Sequence, residues 1–474
     1  MATKTSLSPA FPLGSRLNER GRLEVGGCDT IELAREFGTP AYVVAEDDLR
    51  ARARAFVQAG REHGDLRTVF ASKAFPCTAV LALFAEEGLF CDVASAGELH
   101  LALNAGFAAE RIVMHGNAKS EAELQMALDA RVGLIVVDNF DELDRLQRMS
   151  SAVRSAHAGR SSDRSDGAAH VRPREGSHVT PPTPPHAAGS PLTGDENGYV
   201  QDVLIRVTPD VRGETHEKIS TGQADSKFGF STADVPAAIE RIAGIPGLAL
   251  KGLHAHIGSQ LLDLEPFRRE VAEIARLGSE AHQPGGFSVY DLGGGLGVSY
   301  TEAQASPPAI EDYVATLLRA AREHGIGAPG KRLLIEPGRA LVANAGVTLY
   351  TVESVKRNVS TWVAVDGGMS DNLRPMLYSA PYEAHVADRF GGATPCVLAG
   401  KHCESGDVIV REALLDDPRP GDVIVTPATG AYGFAMASNY NGVPRPPVVF
   451  CKDGAAREVV RRERFDDLTA RDVR

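Results

Sequence analysis

Four charged or polar groups in this chain each follow a short apolar run, and together their types point to one kind of chemistry. Lys73 closes Val69-Phe70-Ala71-Ser72-Lys73, which Phe75-Pro76 then interrupts. An ammonium is strongly hydrated and is seldom set among apolar neighbours without a partner or a chemical task. His256 stands in His254-Ala255-His256-Ile257-Gly258-Ser259-Gln260, and Asp291-Leu292-Gly293-Gly294-Gly295-Leu296-Gly297 offers backbone N–H groups that can cradle an anion unobstructed by side chains. Glu336 directly follows Leu333-Leu334-Ile335, so its carboxylate is desolvated and needs a cationic partner. Three residues on, Arg339 can add a charge-assisted fork to a phosphate or a carboxylate. Each feature alone has an ordinary reading: a snorkelling lysine, a core histidine, a tight turn, a salt bridge. In this order they are the groups that a lysine-bound pyridoxal phosphate requires, with Glu336 facing the protonated pyridine nitrogen that makes this cofactor an electron sink.

The elements that must position these groups alternate strictly. Strands are expected at Leu66–Lys73, Leu89–Ser95, Arg111–His115, Val132–Val137, Asp202–Val207, Ala249–Ile257, Phe287–Leu292 and Arg332–Ile335, each separated from the next by a helical pattern. Eight βα units over roughly 270 residues predict an α/β fold, a closed (β/α)8 TIM-like barrel, with a doubly wound open sheet as the alternative. In such a barrel the site lies at the C-terminal strand ends, which is where Lys73, His256, the glycine run and Glu336 fall. Residues 46–340 are assigned to the barrel. Beyond them, 341–474 break into short β-rich runs between Gly, Pro, Asn and Asp, which predicts a second, mostly β-barrel or sandwich domain. Residues 1–45, with an early strand near Tyr42, are expected to join it. An insertion at about 150–197, rich in Ser and Pro and poor in large aliphatics, is expected to be disordered.

Composition bounds the rest. A chain of 474 residues exceeds one comfortable core. A net charge of −12, with no Lys/Arg stripe, argues against nucleic acid as a partner. No apolar run is long enough to span a bilayer, and no secretory leader is legible, so no membrane partner is expected. Six scattered cysteines without C-x-x-C pairs argue for free thiols in the cytoplasm and against a metal site.

The set Ala71-Ser72-Lys73-Ala74, His254–Gln260, Gly293–Gly295 and Glu336-Pro337-Gly338-Arg339 resembles the fold-type III pyridoxal-phosphate decarboxylases, which pair a barrel with a β domain. Within that group four further segments are similar to the diaminopimelate decarboxylases: Asp225-Ser226-Lys227-Phe228-Gly229, Arg374-Pro375-Met376-Leu377-Tyr378, Cys403-Glu404-Ser405-Gly406-Asp407 and Gly430-Ala431-Tyr432-Gly433. The likeness spans nearly the whole chain apart from its first residues and the insertion. Ser72 departs from it, since an apolar residue is usual before the lysine.

The resemblance implies a lyase that converts meso-2,6-diaminopimelate to L-lysine and CO2, the last step of lysine biosynthesis, with pyridoxal 5'-phosphate as cofactor. It implies that Lys73 carries the cofactor as an imine, that His256 stacks on its ring, and that Glu336 faces its nitrogen. Gly294, Gly295 and Gly338, with Ser259 and Arg339 beside them, would hold phosphate. Arg339, Arg374 and Tyr378 would contact the far end of the substrate, and Tyr432 would lie near both molecules. Cys403, as proton donor, and Glu404, matched to the distal ammonium, would reach across a homodimer interface into the partner's site. The alternative is a decarboxylase of ornithine, arginine or a carboxylated polyamine precursor. Arg374 opposes it, because those substrates lack a distal carboxylate.

Overall fold

The computed structural model describes residues 7–160, 199–209, 226–281 and 286–473. Most of the expected insertion lies outside these residues. The helix before it, expected over Phe140–Met149, runs on to Arg160.

Strand β1 (Ala41–Ala45) precedes the barrel and does not belong to it. The barrel strands are β2 (Leu66–Ala71), β3 (Phe90–Val93), β4 (Ile112–Met114), β5 (Leu134–Val137), β6 (Gln201–Thr208), β7 (Leu248–Ala255), β8 (Val289–Asp291) and β9 (Arg332–Ile335). Each pairs in parallel with the next, and β9 pairs in parallel with β2, so the sheet closes. Closure buries both faces of every strand, which is why the strands read as apolar runs such as Leu134-Ile135-Val136-Val137 rather than as alternation. Val69, Val113, Val136, Leu204, Val289 and Leu334 form a cluster of their own, distinct from the layer between strands and helices. They are the packed barrel interior.

The helices between strands begin with recognisable signals. Ser95 caps Ala96–Asn104, Ser120 and Glu123 form a capping box on Glu121–Ala130, and a proline stands in the first turn of Val235–Ala243 and of Glu265–Glu280.

After the barrel come β10 (Gly346–Arg357), β11 (Thr361–Val365), β12 (Thr394–Ala399), β13 (Val408–Leu415), β14 (Val423–Pro427) and β15 (Val448–Lys452). Strand β1 lies between β10, antiparallel, and β15, parallel, so the N-terminal segment contributes a central strand to this second sheet. The long β10 pairs with β14 through Val347–Thr351 and with β11 through Val352–Arg357. Strand β11 runs parallel to β12, and β12 is antiparallel to β13. No helix among the described residues is long and apolar enough to cross a membrane.

Candidate active site

The C-terminal ends of the barrel strands enclose a cavity of about 180 Å³. The barrel contributes Lys73, His256, Ser259, Gly295, Glu336, Gly338 and Arg339 to its wall, and the second domain contributes Arg374, Tyr378 and Tyr432. Lys73 does not end the strand as the sequence reading had it. Strand β2 stops at Ala71, and Lys73 sits in a single 3-10 turn, Ser72–Ala74, closed by Phe75 N–H donating to Ser72 C=O at 2.9 Å. The turn is what swings the lysine off the sheet and into the cavity. Protein surrounds Lys73 on all sides, yet its side chain stays accessible because it projects into the cavity instead of packing in the wall. Burial pushes its amine down, but Asp92, Tyr432 and Glu336 outweigh that and raise it. Ser72, the departure from the usual apolar residue, is buried, and its hydroxyl makes no hydrogen bond among the described residues.

Glu336 is held by two residues that the sequence reading did not assign. His115 Nε2 lies 2.6 Å from Oε1, and His254 Nε2 lies 3.2 Å from Oε2. All three are buried. Burial alone would raise the Glu336 carboxyl, but the two imidazoles reverse this and hold it well below the usual carboxylate range. His254 is pushed down to about 4, chiefly by burial, so it is neutral at pH 7 and its Nε2–H faces the carboxylate. Beside them Asp291 is fully buried, accepts the Gly293 N–H at 3.0 Å, and is raised well above its ordinary value by burial and by Glu336. Burial and the neighbouring Glu336 carboxylate thus both favour its protonated form.

His115, His254, Asp291 and Glu336 offer ligand atoms within 4.8 Å of one another. The His115–Glu336 contact of 2.6 Å is nonetheless shorter than the roughly 3.3 Å or more that separates two ligands of a tetrahedral zinc held at about 2.0–2.2 Å. A protonated ring nitrogen fits better. Glu336 Oε1 has no aligned hydrogen bond among the described residues, and a pyridinium N–H would provide one.

The glycine run is needed first for close backbone approach. A Cβ on Gly294 would sit 2.1 Å from the Glu336 carbonyl oxygen, and one on Gly295, at φ +125°, would sit 2.5 Å from the Gly258 carbonyl. The Gly294 N–H donates to His256 Nδ1 at 3.2 Å, which fixes the His256 proton on Nε2 and the plane of its ring. Gly294 itself is not in the cavity wall. Gly295 and Gly338 are, and they leave bare backbone where an anion could approach.

Arg339 and Arg374 form the other wall. Arg339 donates to Ser259 Oγ at 3.0 Å and to the Tyr300 hydroxyl, and Arg374 donates to the Tyr382 hydroxyl. The Arg374 guanidinium lies 4.5 Å from the Tyr300 ring centroid, and that of Arg339 lies 5.0 Å from the Tyr432 ring. Burial would raise the Tyr300 phenol, but the two guanidiniums lower it. Tyr432 holds φ +62°, a sparsely populated conformation for a side chain of this size, with its N–H donating to Ala74 C=O at 2.9 Å. Tyr300 and Tyr382 went unassigned in the sequence, as did Asp92, a cavity residue raised to about 6 chiefly by burial. A charge within the apolar Phe90-Cys91-Asp92-Val93 was the one signal available.

Cys403 and Glu404 are not brought to this cavity. They are exposed, in the turn between β12 and β13, where the Cys403 N–H donates to Asn441 Oδ1 at 3.0 Å.

Comparison with known proteins decides the family. Residues 46–159 and 192–343 match the pyridoxal-dependent decarboxylase, pyridoxal binding domain. The chain is 40% identical over 472 residues to a diaminopimelate decarboxylase of Halalkalibacterium halodurans, covering 97% of both chains. The chain belongs to the diaminopimelate decarboxylase family. It is also 43% identical to a member from Actinosynnema pretiosum, across 98% of this chain and 95% of that one. The structure superposes with a TM-score of 0.82 on a diaminopimelate decarboxylase from M. jannaschii crystallised with L-lysine, at 28% identity over 98% of this chain and 99% of that one. Membership makes this chain a pyridoxal-phosphate-dependent carboxy-lyase, in keeping with the fit of Lys73, Glu336 and the bare glycine backbone to that cofactor.

Proposed function

We propose that this enzyme removes one carboxylate of meso-2,6-diaminopimelate to give L-lysine and CO2, as a cytoplasmic homodimer with shared active sites. The observation that carries the substrate is Arg374, a buried guanidinium held by Tyr382 and stacked near Tyr300, in the wall of the cavity that Lys73 enters. Such a cation, already desolvated, favours a substrate whose far end bears a carboxylate. Ornithine and arginine offer none.

Pyridoxal phosphate, when bound, supplies the sink for the electron pair left by departing CO2. This chain's residues do the rest. Lys73 is the amine that holds the cofactor. Glu336, kept ionised by His115 and His254, maintains a proton on the ring nitrogen. His256, oriented by the Gly294 N–H, provides a flat surface for the ring, while Gly295, Gly338, Ser259 and Arg339 receive the phosphate. Arg374 and Tyr378 fix the distal end of the substrate, so that the scissile carboxylate is oriented before the reaction rather than during it. Tyr432 closes the cavity. Cys403 of one protomer delivers a proton to the substrate carbon that lost CO2 in the other, and Glu404 receives the distal ammonium. Barrel residues 46–340 and second-domain residues 341–474, with 1–45 joined to the latter, are the units that meet at this site.

The test is CO2 release by cofactor-loaded protein from meso-diaminopimelate, with L-ornithine and L-arginine in parallel. Release from the first alone, with L-lysine appearing, is expected. Turnover of ornithine or arginine instead would overturn the assignment of Arg374.

A further inference from the structure

The turn before Arg374 and the loop that carries Cys403 are tied together at three points, the first of them a single side chain. Asp407 closes the Cys403 loop and is buried. Its Oδ1 accepts the Met369 N–H at 2.7 Å and its Oδ2 accepts the His402 N–H at 2.9 Å, so one carboxylate bridges the two segments. The bridge has no slack. A Cβ on Gly368 would sit 2.5 Å from the Asp407 carboxylate, and one on Gly400 would sit 2.1 Å from it. His402 adds a second tie, with Nε2 2.9 Å from Ser370 Oγ, and the Lys401 N–H adds a third by donating to Gly367 C=O at 2.9 Å.

The turn itself is rigid on its other side. Asp371 accepts the Gly368 N–H at 2.8 Å and the Tyr350 hydroxyl at 2.6 Å. Its carbonyl accepts the Tyr42 hydroxyl at 2.6 Å, and Ser438 N–H donates to Ser370 C=O at 2.8 Å. From this turn the chain passes directly into the short helix Arg374–Tyr378, which faces the cavity of the same protomer. Cys403 and Glu404, one and two residues after His402, are exposed and do not line that cavity.

We propose that Asp407 is a positioning residue that makes the carboxylate-recognition arm of one active site and the proton-donor loop of the neighbouring site a single unit. The proposal rests on the reading of Cys403 as a residue donated across a dimer. An Asp407 carboxylate that grips both segments holds the Arg374 turn and the Cys403 loop in one fixed relation, and so keeps the Cys403 thiol at a fixed height above the substrate in the partner's site. Substrate capture in one site and proton delivery in the other thereby depend on the same side chain.

Hybrid dimers separate the two effects. Lys73→Ala and Cys403→Ala chains, carrying different affinity tags, are mixed and the hybrid is purified. It holds one complete site, with Lys73 and Arg374 from the Cys403→Ala chain and Cys403 from the Lys73→Ala chain. Asp407→Asn, which keeps the volume and one acceptor, is then placed in either chain. In the Lys73→Ala chain it disturbs only the donor loop, and kcat should fall about tenfold to a hundredfold with KM unchanged. In the Cys403→Ala chain it disturbs only the recognition arm, and KM for meso-diaminopimelate should rise with kcat held. Unchanged cofactor absorbance and thermal melting verify that both hybrids are folded; Asp407→Glu replaces Asn if the latter does not assemble. Identical effects from the two placements, or none, overturn the proposal alone. An inactive parental hybrid overturns the shared site and the proposal with it.

Discussion

His115 Nε2 and Glu336 Oε1 meet at 2.6 Å, although the two residues follow barrel strands β4 and β9, which are not neighbours in the sheet. The contact crosses the mouth of the barrel and sets the charge of the residue assigned to the pyridine nitrogen. Burial works against the Glu336 carboxylate, and the imidazoles of His115 and His254 work for it. Replacing His115 by Leu removes one of the two opposing influences, so the Glu336 carboxyl rises. Its charged form then fails at higher pH than in the parent, and the acidic limb of the kcat/KM profile moves toward neutrality. Loss of a partner to a charged group also costs about tenfold or more in rate at the optimum. His115→Gln, which retains an N–H, should recover part of both. A pH profile for His115→Leu that overlays the parent would show that His254 alone sustains the carboxylate.

Arg374 yields a prediction that separates the two ends of the substrate. Only one carboxylate leaves in the reaction, so L-lysine retains the carboxylate that the distal site recognises. Arg374→Met should lower kcat/KM for meso-diaminopimelate by about a hundredfold, the scale of a lost charge-assisted pair, and should weaken product inhibition by L-lysine in parallel. Arg374→Lys recovers little, because an ammonium cannot form the planar fork. Inhibition by L-lysine that survives Arg374→Met unchanged would mean that the guanidinium holds the departing carboxylate, contrary to the assignment above.

The barrel was legible in the sequence because its strands are buried on both faces and its helices are amphipathic, so the two patterns alternate plainly. Arg332–Ile335 coincides with the observed strand, and the other barrel-strand boundaries differ by at most two residues. In the second domain the pattern is weaker: in β13, Arg411-Glu412 places two exposed charges within Val408–Leu415 and interrupts the apolar run. The site was legible where chemistry demanded an unusual residue in a short motif, as at Lys73, His256 and Glu336. It was illegible where function depends on contacts between distant segments. His115 follows an unremarkable strand, and Tyr300 and Tyr382 lie in loops whose meeting, at a ring-centroid distance of 5.2 Å, no local pattern announces. The glycine run suggested an anion cradle, and its glycines do permit close backbone approach. For Gly294, however, the approaching group is the Glu336 backbone, and its N–H serves His256.

That distinction has a measurable consequence. The tops of β8 and β9 are locked together by the Glu336 N–H donating to Gly293 C=O at 2.6 Å, and a Cβ at Gly294 would collide with the Glu336 carbonyl at 2.1 Å. Gly338 has more room, its virtual Cβ lying 3.0 Å from Ala71 Cβ and 3.2 Å from Ala74 Cβ. Gly294→Ala must therefore separate two strand ends and displace Glu336, at a cost of at least about 1–3 kcal/mol in stability, together with weaker cofactor retention. Gly338→Ala should melt closer to the parent and show its effect chiefly in cofactor affinity. Thermal melts and cofactor titrations compare them directly, and an equal or larger loss of stability at Gly338 would contradict the geometry.

A buried ion pair beneath the barrel mouth offers a test of a different kind. Lys119 Nζ lies 3.1 Å from Glu142 Oε1 and donates to the carbonyls of Gly116 at 2.6 Å and Val136 at 2.8 Å, while Glu142 Oε2 accepts the Asp138 N–H at 3.1 Å. Both side chains are buried. Burial raises the Glu142 carboxyl, and Lys119 is the main influence restraining it. Lys119→Met removes that restraint and leaves a carboxyl that must be protonated to stay inside, at a cost of about 3–5 kcal/mol near neutral pH. The folded variant then holds a proton that the unfolded chain releases above the ordinary glutamate value, so its stability falls as pH rises from about 4.5 toward 8. The parent, whose Glu142 carboxyl is also raised but is restrained by Lys119, should show a shallower slope of the same sign. Lys119→Met combined with Glu142→Leu removes both charges and should recover most of the lost stability and abolish the slope. Chemical denaturation of the three proteins at pH 5 and pH 8 measures this. A double variant as unstable as Lys119→Met would show that the lysine contributes through its two carbonyl contacts, which hold the β4 and β5 ends together, rather than through the glutamate.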